Sequence, residues 1–431
     1  MPKKIVIIGN GIAGITAARH IRKKSDFEIF VISSESPHFF SRTALMYVYM
    51  GHMRFQDIKP YEDHFWSKNR IQLIHDRVTQ VDFIKKEIVF NNSADSLSYD
   101  KLIIASGSKS NMFSWPGIHL DGVNGLYHMQ DLEQMEKYTP GLNSAVIVGG
   151  GLIGIEMAEM FHSRHIPVTM LVREESYWSN VLPREESQMI NCEITDHGID
   201  LLLQSELREI LGNENGKVKG ILTSNDKLIS CGFVGITTGV SPNIEFLKNG
   251  PLEMAKGILV NQYLQTNIND VYAIGDCAQI RQPKVGRRPI EAVWYTGRIM
   301  GEVAAYNICE KYIEYDPGIW FNSAKFFDIE YQVYGEVPAK LPDYMDTLYW
   351  EHANRKKSVR IVFEKATEQV LGFNLMGIRF RQEVCERWIR EKTNLGTVIK
   401  NLKDANFDPE FSKNFTKEIH EMYHQNKMNS V

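Results

Sequence analysis

Lys4-Ile5-Val6-Ile7-Ile8-Gly9-Asn10-Gly11-Ile12-Ala13-Gly14 and Ala145-Val146-Ile147-Val148-Gly149-Gly150-Gly151-Leu152-Ile153-Gly154 share one pattern. Each begins with an unbroken apolar run, which predicts a strand buried on both faces of a parallel sheet. Each run enters a turn with glycines at the same offsets, and a helical pattern follows, through Ile21 in the first copy and from Ile155 to His162 in the second. A further apolar strand comes next in both, Glu28–Ile32 and Val168–Val172. In such a strand–turn–helix the first glycine permits the tight turn and the second lets the backbone approach a pyrophosphate. The third allows helix to pack on strand, and the helix N-terminus offers unpaired N–H groups and a partial positive charge. One motif of this kind is a weak signal, since glycines also mark ordinary turns. Two copies, each set between a buried strand and a helix, predict two dinucleotide-binding units.

Other pairs support the duplication. Tyr99–Gly107 is a strand ending in the small residues Ala105-Ser106-Gly107, and Phe233–Gly239 repeats it, ending in Thr237-Thr238-Gly239. Beyond Tyr315 the texture changes. The aromatic-rich runs Lys325–Tyr334, Thr347–His352, Ser358–Glu364 and Val370–Met376 predict antiparallel strands. Helices are expected over Arg381–Thr393 and Thr397–Asn406, with Pro409 as a break. The fold class read from this order is α/β, with two Rossmann-like domains followed by an α+β domain. The expected boundaries are 1–112 with 242–316 for the first unit, 113–241 for the second and 317–431 for the third.

The bulk numbers exclude several classes. A chain of 431 residues exceeds one ordinary core. A hydrophobic share of 43% and a charged share of 24% are those of a soluble globular protein. A net charge of −4 with no dense basic arm gives no sign of nucleic-acid binding. No apolar run is long enough for a transmembrane segment, and the opening residues lead straight into the first strand rather than into a signal peptide. The five cysteines, Cys192, Cys231, Cys277, Cys309 and Cys385, contain no Cys-x-x-Cys pair. Their scatter argues against a disulfide framework or a metal site, and a reducing cytoplasm is the expected compartment. The apolar stripe Phe411, Phe415, Ile419, Met422 and Tyr423 is interrupted by Glu418, His420 and Glu421, so it is read as packing on the body or on a second copy of the chain rather than on a membrane.

Each glycine fingerprint calls for an acid about twenty residues on, to hold ribose hydroxyls. In the first unit Glu35 falls one place late, so either Ser34 or Glu35 fills that role, or Glu35 is a solvated turn residue. In the second, Arg173 suits a 2′-phosphate while Glu174 and Glu175 suit a free ribose, leaving NADH and NADPH both open. A short apolar strand then ends in Gly275-Asp276, which alone would read as a strand-to-turn signal. In this order the motifs resemble the FAD-dependent pyridine nucleotide–disulfide oxidoreductase superfamily, from the first strand to the helix ending near Cys309. The resemblance implies that Gly9, Gly11, Ile12, Ala13 and Gly14 bind the FAD pyrophosphate. It also implies that Gly149, Gly151, Leu152, Ile153 and Gly154 bind NAD(P)H, and that Asp276 holds the flavin ribityl chain. Ala105, Ser106, Gly107 and Gly239 then lie where the chain crosses between domains, and Val78 is included among the cofactor contacts.

Members of the superfamily differ in what lies beside the flavin. The disulfide reductases carry a cysteine pair on the first helix after the FAD strand, and other branches carry one cysteine in that region. Here Phe39–Met50 contains none. Phe40-Ser41-Arg42 is instead similar to a stretch in rubredoxin and ferredoxin reductases, which implies that Ser41 and Arg42 run along the FAD. The alternative is a surface charge at Arg42. Pro289–Gly297 is expected to open a long helix reaching Cys309, with Pro289 in its first turn and Trp294 either near the flavin or in the core. Glu156 matches the family glutamate near the nicotinamide carboxamide, or is a helix N-terminal acid.

The implied activity is hydride transfer from NAD(P)H through FAD to an acceptor. It needs orientation rather than a catalytic side chain, and no metal is expected. The acceptor read from Ser41-Arg42 is a small iron–sulfur protein. A quinone or oxygen acceptor, and a slow flavin redox sensor or assembly factor, are the rivals, and a homodimer is an open alternative.

Overall fold

The structure is a computed structural model that describes residues 2–408, 410, 411 and 413–429, with the side chains of 426–429 excepted. The expected break at Pro409 lies outside the described residues. The chain forms two compact units, Met1–Phe113 with Asn124–Leu142 and Thr238–Pro317, and Ser114–Val123 with Asn143–Thr237 and Gly318–Val431.

In the first unit the run Lys4–Ile8 is the middle strand of a five-stranded parallel sheet, ordered Val271–Ala273, Lys101–Ile104, Lys4–Ile8, Glu28–Ser33, Ile71–His75. Ile5, Val6 and Ile7 are wholly buried. Each such side chain removed from water contributes roughly 1.5–3 kcal/mol, which is why a run with no polar alternation settles here. The strand order reverses at Lys4–Ile8, so the carboxyl ends of this strand and Lys101–Ile104 flank a crevice, the position where open α/β sheets bind ligands. The helix Ile12–Lys24 packs on the helix Trp294–Ile308 at very short range: a Cβ at Gly301 would lie 2.4 Å from the Ala13 carbonyl oxygen.

The second unit repeats the device. Its sheet runs Asp200–Leu202, Val168–Leu171, Ala145–Val148, Phe233–Ile236, with all three pairings parallel, and ends on the short Val123–Asn124. The same unit holds a five-stranded antiparallel sheet ordered Phe321–Phe326, Ile329–Gly335, Val370–Met376, Ser358–Glu364, Met345–Glu351. Helices Gln382–Arg390, Leu395–Lys400 and Thr416–Asn429 accompany it. Arg360, on a strand of this sheet, forks onto Glu186 at 2.7 and 2.9 Å and reaches Glu185 at 2.7 Å, tying the sheet to the helix Arg184–Asp196. Breaking such a buried pair from one side costs about 3–5 kcal/mol.

Three local expectations are corrected. Lys325–Tyr334 is not one strand but a hairpin, Phe321–Phe326 and Ile329–Gly335, turning at Phe327 with φ of 51°. The helix expected to open at Pro289 begins at Trp294. The Pro289 carbonyl accepts the Ile280 N–H at 2.9 Å, and this pairing holds the segment extended. In the C-terminal stripe Phe415, Ile419 and Tyr423 are buried against Trp350 and Leu395, but Phe411 stands 85% exposed and does not share that face.

Candidate functional site

The two glycine turns fall under the same steric constraints. Gly9 has φ of 114°, and a Cβ there would sit 2.1 Å from the Ala105 carbonyl oxygen; at Gly14 it would sit 2.0 Å from the Gly9 carbonyl oxygen. In the second copy, Gly149 has φ of 128° and its Cβ would meet the Thr237 carbonyl oxygen at 2.6 Å, while that of Gly154 would meet the Gly149 carbonyl oxygen at 2.8 Å. The outer glycines are thus required by the protein's own packing. The middle ones are not: a Cβ at Gly11 or Gly151 would have nothing within 4 Å. The free space lies on the face where a pyrophosphate approaches such a turn, so both turns fit a dinucleotide. Gly11 and Gly151 are the N-caps of the helices Ile12–Lys24 and Leu152–Ser163. Neither cap makes a side-chain hydrogen bond, and neither first turn carries an acid, so the leading N–H groups remain available to an anion.

Ala105, Gly275 and Gly297 lie against the first turn. The Ala105 N–H donates to the Ile8 carbonyl at 2.8 Å, and the Ser106 hydroxyl donates to the Asn243 carbonyl at 2.8 Å. Gly275, with φ of 72°, brings its Cα edge to Ala13, where an added Cβ would be 3.0 Å from that alanine. Gly297 lies against Ile12 and Ala13 in the same way. Asp276 follows Gly275, half-buried, in the turn Gly275–Cys277. Trp294 is 37% exposed at the start of its helix, so it is not a core residue. Gly239, with φ of 97°, accepts the Asn111 N–H at 3.0 Å. Val78 is buried in the core of the unit, paired with Phe90.

Arg42 is not a free surface charge. Its guanidinium forks onto Glu35 at 2.8 and 2.6 Å, donates to the Tyr127 carbonyl, and lies 4.6 Å from the centre of the Tyr127 ring. Glu35 also accepts the Met129 N–H at 2.8 Å and faces His128 at 3.6 Å. Burial pushes the Glu35 carboxyl up, but hydrogen bonds from His128 and Arg42 and the Arg42 charge outweigh it and hold the group at about 2. Ser34, by contrast, is exposed at the strand end.

Tyr127, in no recognised motif, ties these elements together. Its hydroxyl donates to Asp276 Oδ2 at 3.0 Å and accepts the Ser108 N–H at 3.0 Å. Burial raises the Asp276 carboxyl, and the Tyr127 hydrogen bond and Arg42 charge oppose that rise without cancelling it. Burial, helped by the Asp276 charge, raises the Tyr127 hydroxyl well above the ordinary phenol range, which keeps it a donor.

Around the second turn Tyr177 is the residue that sequence reading passed over, while Thr237 belongs to the small-residue strand end already recognised. The Thr237 hydroxyl donates to the Val148 carbonyl at 2.9 Å, and Tyr177, wholly buried, donates to the Gly151 carbonyl at 2.6 Å. Both fix the turn from outside the motif. Leu152 and Ile153 are half-buried in the first helical turn, and Glu156 is half-buried one turn on. Burial, reinforced by the charge of Glu159, pushes the Glu156 carboxyl up to about 7. Arg173 is exposed beyond the second strand, with Glu174 at 2.9 Å.

A family model described as pyridine nucleotide-disulphide oxidoreductase matches residues 3–300. The chain belongs to this family. It is 31% identical over 340 residues to the NAD(P)H coenzyme A polysulfide/persulfide reductase of Pyrococcus horikoshii, covering 77% of this chain and 75% of that protein. It is 30% identical over 307 residues to the NADH-rubredoxin oxidoreductase of Clostridium acetobutylicum, covering 71% and 74%. It also matches a nitrite reductase [NAD(P)H] of Bacillus subtilis at 28%, but spans only 35% of that protein's length. A persulfide reductase structure from A. fulgidus shares the fold with a TM-score of 0.86 at 22% identity, over 99% of this chain and 84% of that one. The protein is therefore an oxidoreductase of the pyridine nucleotide-disulphide oxidoreductase family. The five cysteines are free, and Cys277 is wholly buried with its thiol near the Ile104 and Ile274 carbonyls. Among the described residues no helix is long and apolar enough to cross a membrane.

Proposed function

We propose that this family member is an FAD-dependent NAD(P)H oxidoreductase that delivers electrons to a small iron–sulfur protein in the cytoplasm without a redox-active disulfide. The observation that carries the reading is the pair of glycine turns whose outer positions the protein fills and whose middle positions, Gly11 and Gly151, it leaves bare. In the proposed boundaries, 1–112 with 242–316 hold FAD, 113–241 hold NAD(P)H, and 317–431 form the additional α+β domain. The uncapped N–H groups after Gly11 would take the FAD pyrophosphate, Ser34 the ribose and Asp276 the ribityl chain. Arg42 and Glu35, locked together, would wall the site beside Ser41. A flavin held by these residues would supply hydride acceptance and one-electron release. On the nicotinamide side the Gly151 turn would take the pyrophosphate, Arg173 would select at the 2′ position, and Glu156 would hold or release a proton near neutral pH beside the carboxamide.

The thiol-free reading rests on Phe39–Met50 containing no cysteine and on the sealed position of Cys277. The iron–sulfur acceptor rests on Ser41-Arg42 and on the rubredoxin reductase relative. The test is to release the chromophore from gently purified protein, identify it by chromatography, then follow anaerobic reduction of a rubredoxin by NADH and by NADPH. FAD at one per chain and rapid rubredoxin reduction are expected. FMN alone, or no flavin after reconstitution with FAD, would refute the cofactor assignment, and bleaching of the flavin without rubredoxin reduction would refute the acceptor.

A further inference from the structure

A cleft of about 460 Å³ opens between the helices Ile12–Lys24 and Trp294–Ile308 and shares Ile12, Ser41 and Trp294 with the proposed flavin site. Three cations line it, Arg19 and Lys23 one turn apart on the first helix and Arg298 one turn beyond Trp294 on the second. Among the described residues none of the three forms an ion pair; Arg19 lies 4.8 Å from the centre of the Tyr61 ring, and Lys23 and Arg298 are exposed. Of the lining residues only Glu302 is acidic, and its carboxylate faces His20 at 3.7 Å. The remaining wall holds three aromatic residues, Phe39, Tyr61 and the partly exposed Trp294, beside Ile12, Thr16, Ser41 and Pro60.

This arrangement opposes the charge of the whole molecule. The chain carries a net charge of −4, which repels an acidic protein at a distance, yet the cleft gathers three unneutralised cations beside the residues assigned to the flavin. Complementary charge of this kind steers encounter and fixes register, while an exposed tryptophan supplies the apolar anchor of a docking surface. Lys23 and Arg298 are exposed on two different helices while Arg19 is half-buried against the Tyr61 ring, so the outer two cations stand at a rim that an approaching surface can reach.

We propose that the Arg19–Lys23–Arg298 cleft is the docking site for the acidic surface of the iron–sulfur protein that receives the electrons. The proposal rests on the electron-carrier function above and names where that carrier binds. No bond is made or broken at the cleft; single electrons pass from the reduced flavin to the carrier's ferric centre.

The test is the double charge reversal Lys23→Glu with Arg298→Glu, at positions that hold neither FAD nor NAD(P)H. NADH-dependent reduction of a rubredoxin is measured from low salt to about 0.3 M, where charges farther apart than a few ångströms are screened. The expected result is a KM for rubredoxin raised about tenfold or more at low salt, kcat within about twofold, and a flattened salt dependence. Flavin reduction by NADH in stopped flow should be unchanged, and Lys23→Arg with Arg298→Lys should restore the wild-type KM. If wild-type protein reduces neither rubredoxin nor a ferredoxin, the electron-carrier function fails and this docking site with it. If the wild type reduces rubredoxin and the reversal leaves KM and salt dependence intact, the docking site alone is overturned. A reversal that spares the rubredoxin KM but abolishes inhibition by inorganic pyrophosphate would also overturn it, and would assign the cleft to a small phosphorylated molecule.

Discussion

Replacing Glu35 by glutamine separates two roles that the sequence leaves entangled, a ligand for the cofactor ribose and an anchor for Arg42. The carboxylate accepts both arms of the Arg42 fork at 2.8 and 2.6 Å and the Met129 N–H at 2.8 Å. Although burial works against ionisation, the hydrogen bonds from His128 and Arg42 bring the group from 4.5 to about 2. The folded value lies below the unfolded one. The carboxylate therefore contributes stability that is fully present above about pH 4.5 and is lost as the pH falls through about 2. At about 1.4 kcal/mol per tenfold change, the depression corresponds to on the order of 3 kcal/mol at neutral pH and roughly half of that at pH 3. The Glu35→Gln variant keeps the shape and part of the hydrogen bonding, so it should lose roughly 2–3 kcal/mol at pH 7, with a deficit that shrinks toward pH 3. Urea denaturation of the flavin-free full chain at the two pH values measures both. A deficit independent of pH would refute the ion-pair argument. A variant as stable as wild type that nonetheless loses flavin would make Glu35 a ribose ligand instead.

Three further outcomes are expected. Tyr127→Phe removes one donor from Asp276 and leaves the Ser108 N–H without its acceptor, each worth about 1–3 kcal/mol; FAD retention, followed by recovery of free-flavin fluorescence, should weaken about tenfold or more, and unaltered retention would show that Asp276 does not need the Tyr127 hydroxyl. Arg173→Ala should lower the NADPH/NADH ratio of kcat/KM about tenfold, because a guanidinium binds a 2′-phosphate in a fork; an unchanged ratio would make Arg173, already engaged by Glu174, a surface residue. Serine at each of the five cysteines in turn should leave acceptor turnover within about a few-fold, since a relay needs an accessible thiolate and burial raises the Cys277 thiol instead. Loss of acceptor reduction with flavin reduction preserved would establish a sulfur relay.

What the sequence disclosed and what it hid have the same physical origin. The turns at Gly9–Gly14 and Gly149–Gly154 were legible because their constraints arise within a few residues: each third glycine is required by the carbonyl of the first, five places earlier. The buried strands were legible for a similar reason, since an apolar run declares its own burial. Tyr127 and Tyr177 carry no local mark, and the small-residue pattern that marks Thr237 does not disclose what its hydroxyl holds, because these contacts exist only after the chain has returned. Tyr127 reaches Asp276 across 149 positions, and Thr237 reaches Val148 across 89. The errors follow the same division. Pro289 has a local preference for a first helical turn, yet Ile280 takes its carbonyl and the helix waits for Trp294. Phe326-Phe327 has strand propensity throughout, yet both rings are buried and the chain reverses there with no glycine to announce it. Glu35 is the case in between. The spacing rule correctly brings an acid to the end of the second strand, but one place late. That single step exposes Ser34 and turns the carboxylate inward onto Arg42. The cation that sequence similarity placed along the cofactor therefore arrives already neutralised. Arg42 can shape the flavin site through packing and hydrogen bonding, but little net positive charge remains on it to favour an anionic flavin. Arg19, Lys23 and Arg298 form no ion pair among the described residues and keep their charge, which under the proposed docking serves the arriving partner rather than the flavin.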